Sequence, residues 1–128
     1  MNGQVLIAVI DDDESLRSAL VGLVRSLGYE AQGFSSAEDF LHADGMQSFS
    51  CIISDIQLPG MTGIDLKHSL AARDVRTPVI MVTARAEPGL EERARASGAV
   101  CFLRKPFDGN ILLDQIEQVL QGPNHSSQ

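Results

Sequence analysis

The order of apolar runs predicts an α/β domain, a doubly wound parallel sheet built from five βα units. Three observations carry this. Five short apolar or β-rich runs alternate with longer segments of helical periodicity, the pattern of repeated βα units. The first run, Val5–Ile10, is continuous rather than alternating, as a strand buried on both faces requires. Cap and stop residues bound the helical segments, and right-handed crossovers then place helices on both faces of the sheet.

The elements follow in order. Val5–Ile10 is the first strand. Leu16, Leu20, Leu23, Val24 and Leu27 make one helical stripe, stopped by Gly28. Tyr29–Phe34 alternates Glu30 and Gln32 with apolar neighbours, which suits a sheet edge. Ser36 caps a short second helix, with Asp39 three positions on, ending near Asp44-Gly45. Cys51–Ser54 is the third strand and terminates in Asp55. Leu58-Pro59-Gly60 is turn chemistry, and Thr62 or Gly63 opens a helix carrying Ile64, Leu66 and Leu70. Pro78–Val82 is strand four. Glu87–Ser97 is helical by propensity, but only Leu90 and Ala94 form an apolar stripe, so it is thinly anchored; Gly98 ends it. Val100–Leu103 is strand five. Asp108 caps a last helix, with Leu112, Ile116, Val119 and Leu120 inward and Gly122-Pro123 as its stop. Residues 1–121 thus form one domain, and 122–128 read as a polar tail or the start of a linker.

Composition narrows the function classes. The chain has 128 residues, 10 Lys and Arg against 17 Asp and Glu, and a formal net charge of −7. This length suits one domain with a real core. The charge argues against direct nucleic-acid binding, which draws on surplus cations. No apolar run approaches the roughly 18 residues of a membrane span, and no basic segment precedes an apolar one at the N-terminus. The expected setting is cytoplasmic. Cys51 and Cys101 lie inside apolar runs and read as buried thiols, and His42, His68 and His125, without metal-ligand spacing, as surface residues.

In open parallel sheets, chemistry lies outside the carboxyl ends of the strands. There stand Asp11, Asp12 and Asp13 after strand one, Asp55 after strand three, Thr83 after strand four, and Lys105-Pro106 after strand five. Carboxylates gathered at one edge repel, which raises at least one pKa unless a cation answers them. Lys105 supplies one positive charge. Mg²⁺, which takes a few carboxylates, keeps several waters and shares its site with phosphate, supplies more; Mn²⁺ is the alternative ion, and the Gln57 backbone carbonyl is the best further ligand. A carboxylate is also a covalent phosphoryl acceptor, and Asp55, at the end of the central strand, is the candidate nucleophile. Lys105 and the Thr83 hydroxyl would hold phosphoryl oxygens. Positioning and charge compensation then suffice for transfer.

The motifs Val9-Ile10-Asp11-Asp12-Asp13, Ser54–Gly63, Val82-Thr83-Ala84 and Leu103-Arg104-Lys105-Pro106-Phe107, all four in order, resemble the receiver domain of bacterial two-component response regulators. The resemblance covers roughly residues 5–121. It implies the flavodoxin-like (βα)5 fold with strand order 2-1-3-4-5. It also implies phosphorylation of Asp55 from a histidine kinase, and Mg²⁺ held by Asp11 and Asp12, directly or through water, with Asp55 and the Gln57 carbonyl. Thr83 and Lys105 grip the phosphoryl group, the Lys105-Pro106 bond is cis, and Phe102 is the aromatic switch. Gln57 and Arg85 flank the site and influence phosphoryl lifetime. In that strand order Cys51 and Cys101 are two strand spacings apart, roughly 9–10 Å, beyond disulfide reach.

The resemblance extends to a switch in which Thr83 moves toward the phosphoryl group, Phe102 turns inward and the thinly anchored helix shifts. The altered face, made of helix four, strand five and helix five, would govern an output domain. Phe34–Leu41 is similar to the branch bearing a LuxR-type helix-turn-helix, so the chain is expected to be the isolated receiver of a transcription regulator, with homodimerisation on phosphorylation; a free-standing regulator is the rival. Other classes fit worse. An aspartyl phosphatase wants a second acid where Gln57 stands, a flavin site wants a Ser/Thr/Gly-rich loop after strand one, and a docking-only receiver would lack one of the acid, Thr or Lys positions.

Overall fold

Strands and helices alternate along the chain: β1 Leu6–Ile10, α1 Glu14–Ser26, β2 Glu30–Phe34, α2 Ala37–His42, β3 Cys51–Asp55, α3 Gly63–Ala72, β4 Val79–Thr83, α4 Leu90–Ala96, β5 Cys101–Arg104 and α5 Gly109–Ser126. This computed structural model describes residues 5–126 apart from positions 44, 46, 47 and 86, with side chains as far as residue 121. All strand pairs are parallel, in the order β2-β1-β3-β4-β5, as the resemblance implied.

Alternation along the central strands divides the core in two. Ala8, Ile10, Ile52 and Met81 pack with Phe40, Leu66, Leu70, Leu90 and Ala94, so α2, α3 and α4 cover one face. Ile7, Val9, Ile53, Ile80 and Val82 pack with Val24, Leu112 and Ile116, so α1 and α5 cover the other. β3 and β4 are buried at every position, which explains their unbroken apolar character. Cys51 and Cys101 are free and buried, on β3 and β5 with β4 between. Burial pushes the Cys51 thiol up to about 12, so it is inert as a nucleophile.

Helix starts follow local chemistry. Asp13, Ser36 and Thr62 accept from backbone N–H groups three residues on. Thr62, not Gly63, is the cap of α3, and Asp65 returns the bond to the Thr62 N–H in a full capping box. Thr62→Ala should lower stability by about 1 kcal/mol, read as a shifted urea midpoint at unchanged slope; an unchanged midpoint would remove the cap from the account.

Four expectations need correction. Leu16, placed in the inward stripe of α1, is 46% exposed, because the first turn overhangs the carboxyl edge of the sheet. The fourth helix starts at Leu90 rather than Glu87, because Gly89 is left-handed (φ 78°) and turns the chain at its N-terminus. Leu90 and Ala94 are its buried residues, as the spacing predicts. Thr83 is the last residue of β4 rather than the first after it. α5 runs through Gly122-Pro123 to Ser126, although a proline cannot donate to the carbonyl four residues back and its ring crowds that carbonyl. The stop expected at Gly122-Pro123 is overturned, and residues 127 and 128 lie outside the described residues, as does Asp44 at the expected end of the second helix.

Candidate functional site

The carboxyl edge gathers the side chains that strand ends delivered. Asp11 directly follows β1 and is 2% exposed. Its Oδ1 accepts from the Asp13 N–H at 3.0 Å, and its carbonyl accepts from Arg17 Nη1 at 2.9 Å. Asp12 faces solvent. Asp55 ends β3 and is 9% exposed, its Oδ1 accepting from the Gln57 N–H at 3.1 Å. One carboxylate oxygen from each of Asp11, Asp12 and Asp55 lies within 4.8 Å of the others.

Lys105 reaches this cluster across 94 positions of sequence. Its ammonium donates to Asp11 Oδ2 at 2.8 Å and to Asp55 Oδ2 at 3.4 Å. The Lys105-Pro106 peptide bond is cis, as the resemblance implied. Burial raises the Asp55 pKa and Asp11 adds to the rise; Lys105 and the Gln57 N–H oppose it without cancelling it. Burial by itself would depress the Lys105 ammonium, but its bond to Asp11 and the charge of Asp55 win, and its pKa rises. Two buried carboxylates thus share one cation. Hard oxygen donors with surplus negative charge fit a divalent ion of the Mg²⁺ type, and Asp11, Asp12 and Asp55 are the residues able to hold it.

Thr83 is fully buried. Its hydroxyl donates to Gln57 Oε1 at 2.7 Å and accepts from the Arg85 N–H at 3.1 Å. The Arg85 side chain is exposed and Phe102 is half-buried against the face covered by α2–α4. Neither joins the carboxylate cluster.

One supporting role, that of Glu38, has no signal in the sequence. Glu38 of α2 accepts from the Met61 N–H at 3.0 Å, across 23 positions, and ties down the loop after β3. The same carboxylate occupies the space where a side chain on Gly60 (φ 74°) would stand, 2.7 Å from its Cβ position. At Gly63 a Cβ would sit 2.7 Å from the Asp55 carbonyl oxygen, so only glycine lets α3 begin against the end of β3. Helical position marks Glu38 as surface, and its partner is a backbone group, which has no signature in sequence. Glu38→Ala should cost about 1.5 kcal/mol, the range for a bond to a charged group, and should speed hydrogen exchange at the Met61 amide. Unchanged exchange there would mean the loop holds itself.

The parallel sheet with this acidic edge and its lysine defines a signalling domain. The response regulator receiver domain model matches residues 7–117, and the chain belongs to that family, whose members act in two-component signalling. Nodulation protein W of Bradyrhizobium diazoefficiens is 36% identical over 113 residues, 88% of this chain and 50% of that protein. Transcriptional regulatory protein FixJ of the same organism is 36% identical over 115 residues, 90% of this chain and 56% of that one. The solved structure of response regulator StyR superposes with a TM-score of 0.84 at 37% identity, covering 98% of this chain and 63% of that one. The chain spans about half the length of the curated relatives it matches. Among the described residues no helix is long and apolar enough to cross a membrane.

Proposed function

We propose that Asp55 is the phosphoacceptor of a cytoplasmic, Mg²⁺-dependent switch loaded by a histidine kinase. The observation that carries this is the Lys105 ammonium bonded to both Asp11 and Asp55, with Asp12 completing the acidic ring. An Asp55 oxygen attacks the phosphorus of a phosphohistidine; the O–P bond forms as the N–P bond breaks, and the electron pair stays on the imidazole. Lys105 and Thr83 then each hold a phosphoryl oxygen. Asp11, Asp12, Asp55 and the Gln57 carbonyl would hold the ion, which when bound supplies charge neutralisation around the transferred group. The domain thereby promotes its own phosphorylation and, with water as nucleophile, its own dephosphorylation, Gln57 and Arg85 governing access.

The readout follows from weak anchoring. α4 buries only Leu90 and Ala94, so movement of Thr83 and Phe102 shifts a population between two packings of the α4–β5–α5 face. That face controls an output domain beyond the receiver unit of residues 1–121, joined through residues 122–128, and pairs two copies on phosphorylation. The output is a helix-turn-helix of the LuxR type; FixJ, by its name a transcriptional regulator, supports this. Nucleic acid is contacted by the output domain, not by this acidic chain. Intact-mass measurement after incubation with Mg²⁺ and acetyl phosphate tests the reading: one phosphoryl adduct supports it, and none in any excess of donor defeats it.

A further inference from the structure

The Thr83 hydroxyl carries one proton, and in this structure that proton is already committed. It goes to the Gln57 side-chain oxygen at 2.7 Å, while the hydroxyl oxygen accepts from the Arg85 N–H. Thr83 is fully buried, and an unpaired buried hydroxyl is costly. The hydroxyl proton points to the carboxamide oxygen, and the Arg85 N–H takes one of the hydroxyl's two acceptor sites.

We infer that the Gln57 side chain is a resting-state catch: it holds the Thr83 hydroxyl and competes for it with the phosphoryl group on Asp55. The inference rests on the reading of Asp55 as phosphoacceptor. One O–H cannot serve the carboxamide and a phosphoryl oxygen together, so Thr83 must release Gln57 before it can engage the modified aspartate. The catch is short and well anchored. The backbone N–H of Gln57 is bonded to Asp55 Oδ1 at 3.1 Å, so the residue that senses the acceptor carboxylate through its main chain restrains the switch hydroxyl through its side chain. Gln57 is therefore a positioning residue acting through Thr83. It sets how far the domain leans toward the active packing before and after phosphorylation, separately from any control of water access.

A buried neutral hydrogen bond shifts an equilibrium by roughly three- to tenfold. Gln57→Met keeps the length of the side chain and removes the acceptor. With Mg²⁺ and the phosphoryl analogue beryllofluoride, this variant should bind the analogue about three- to tenfold more tightly than the wild type. In the analogue-free protein, the Thr83 methyl and Arg85 amide resonances should move toward their beryllofluoride-bound positions. In a Thr83→Val background, where no hydroxyl remains to be held, Gln57→Met should leave analogue affinity unchanged. Equal tightening in both backgrounds, or no change of affinity and resonances in the single variant, would overturn the catch while leaving the phosphoacceptor reading intact. A wild type that takes up no beryllofluoride would overturn that reading and the catch together.

Discussion

Asp55→Asn is expected to acquire no phosphoryl group under conditions that load the wild type fully, and to keep its fold. The carboxamide matches the carboxylate in shape, so α3 can still start against the end of β3 at Gly63. Its nitrogen lone pair is delocalised and its oxygen is neutral, so it offers no anionic nucleophile. An adduct persisting in this variant would move the acceptor to Asp11 or Asp12. The substitution also predicts a change with pH. The folded pKa of Asp55 is raised above 3.8, by burial first and by Asp11 second. A carboxyl of this kind binds its proton more tightly when folded, so it costs stability as pH rises from 3.8 through the raised value. Asp55→Asn lacks that cost and should be at least as stable as the wild type at neutral pH without metal. With Mg²⁺ at 100-fold over its dissociation constant the wild type should gain about 2.7 kcal/mol, and the variant, one carboxylate short, markedly less. Thermal unfolding in EDTA and in Mg²⁺ measures both arms; an identical gain in the two proteins would take Asp55 out of the ion's site.

The fold and the meeting of Asp11, Asp12, Asp55 and Lys105 at one edge were legible because each rests on a local rule. Continuous apolar runs such as Cys51–Ser54 become strands covered on both faces, and parallel strands carry Asp11, Asp55, Thr83 and Lys105 to a single edge. The ion pair of Lys105 with Asp11 follows from that delivery, however distant the two lie along the chain. What stayed hidden depends on non-local or side-chain-to-backbone geometry. The bond of Glu38 to the Met61 N–H and that of Thr83 to Gln57 join positions whose residue types are ordinary for an exposed helix and a turn. Leu16 fits the α1 stripe, but the sheet does not extend beneath the first turn, so its side chain is left 46% exposed. Propensity over Glu87–Ser97 favours an earlier start for α4, but the Pro88-Gly89 turn with its left-handed glycine prevails. Gly122-Pro123 carries a stop signal, and the helix nonetheless continues through it to Ser126.

Lys105→Met should produce the largest loss of stability among these variants, about 3 kcal/mol at neutral pH without divalent metal. The ammonium lies 2.8 Å from Asp11, which is buried, and 3.4 Å from Asp55. Deleting one member of a buried ionic group leaves the others charged without a partner, at about 3–5 kcal/mol. The lower end applies because the Lys105 and Asp55 side chains keep 14% and 13% exposure, which lets water screen part of the charge. The lysine's own contribution has the opposite pH sense to that of Asp55. Its folded pKa is raised above 10.5, so the contribution is whole below 10.5 and is lost only as pH rises through the raised value. At neutral pH the full amount is therefore at stake. Two conditions should return stability to the variant. Acidification protonates the Asp55 carboxyl, whose pKa burial raises and Asp11 raises further, and Mg²⁺ supplies the missing positive charge, so the deficit should shrink in both. Urea unfolding across pH, with EDTA or Mg²⁺, reads this directly. A deficit indifferent to both proton and metal would mean that Lys105 stabilises through its packed methylene chain, and that the carboxylates at this edge do not depend on it for neutralisation.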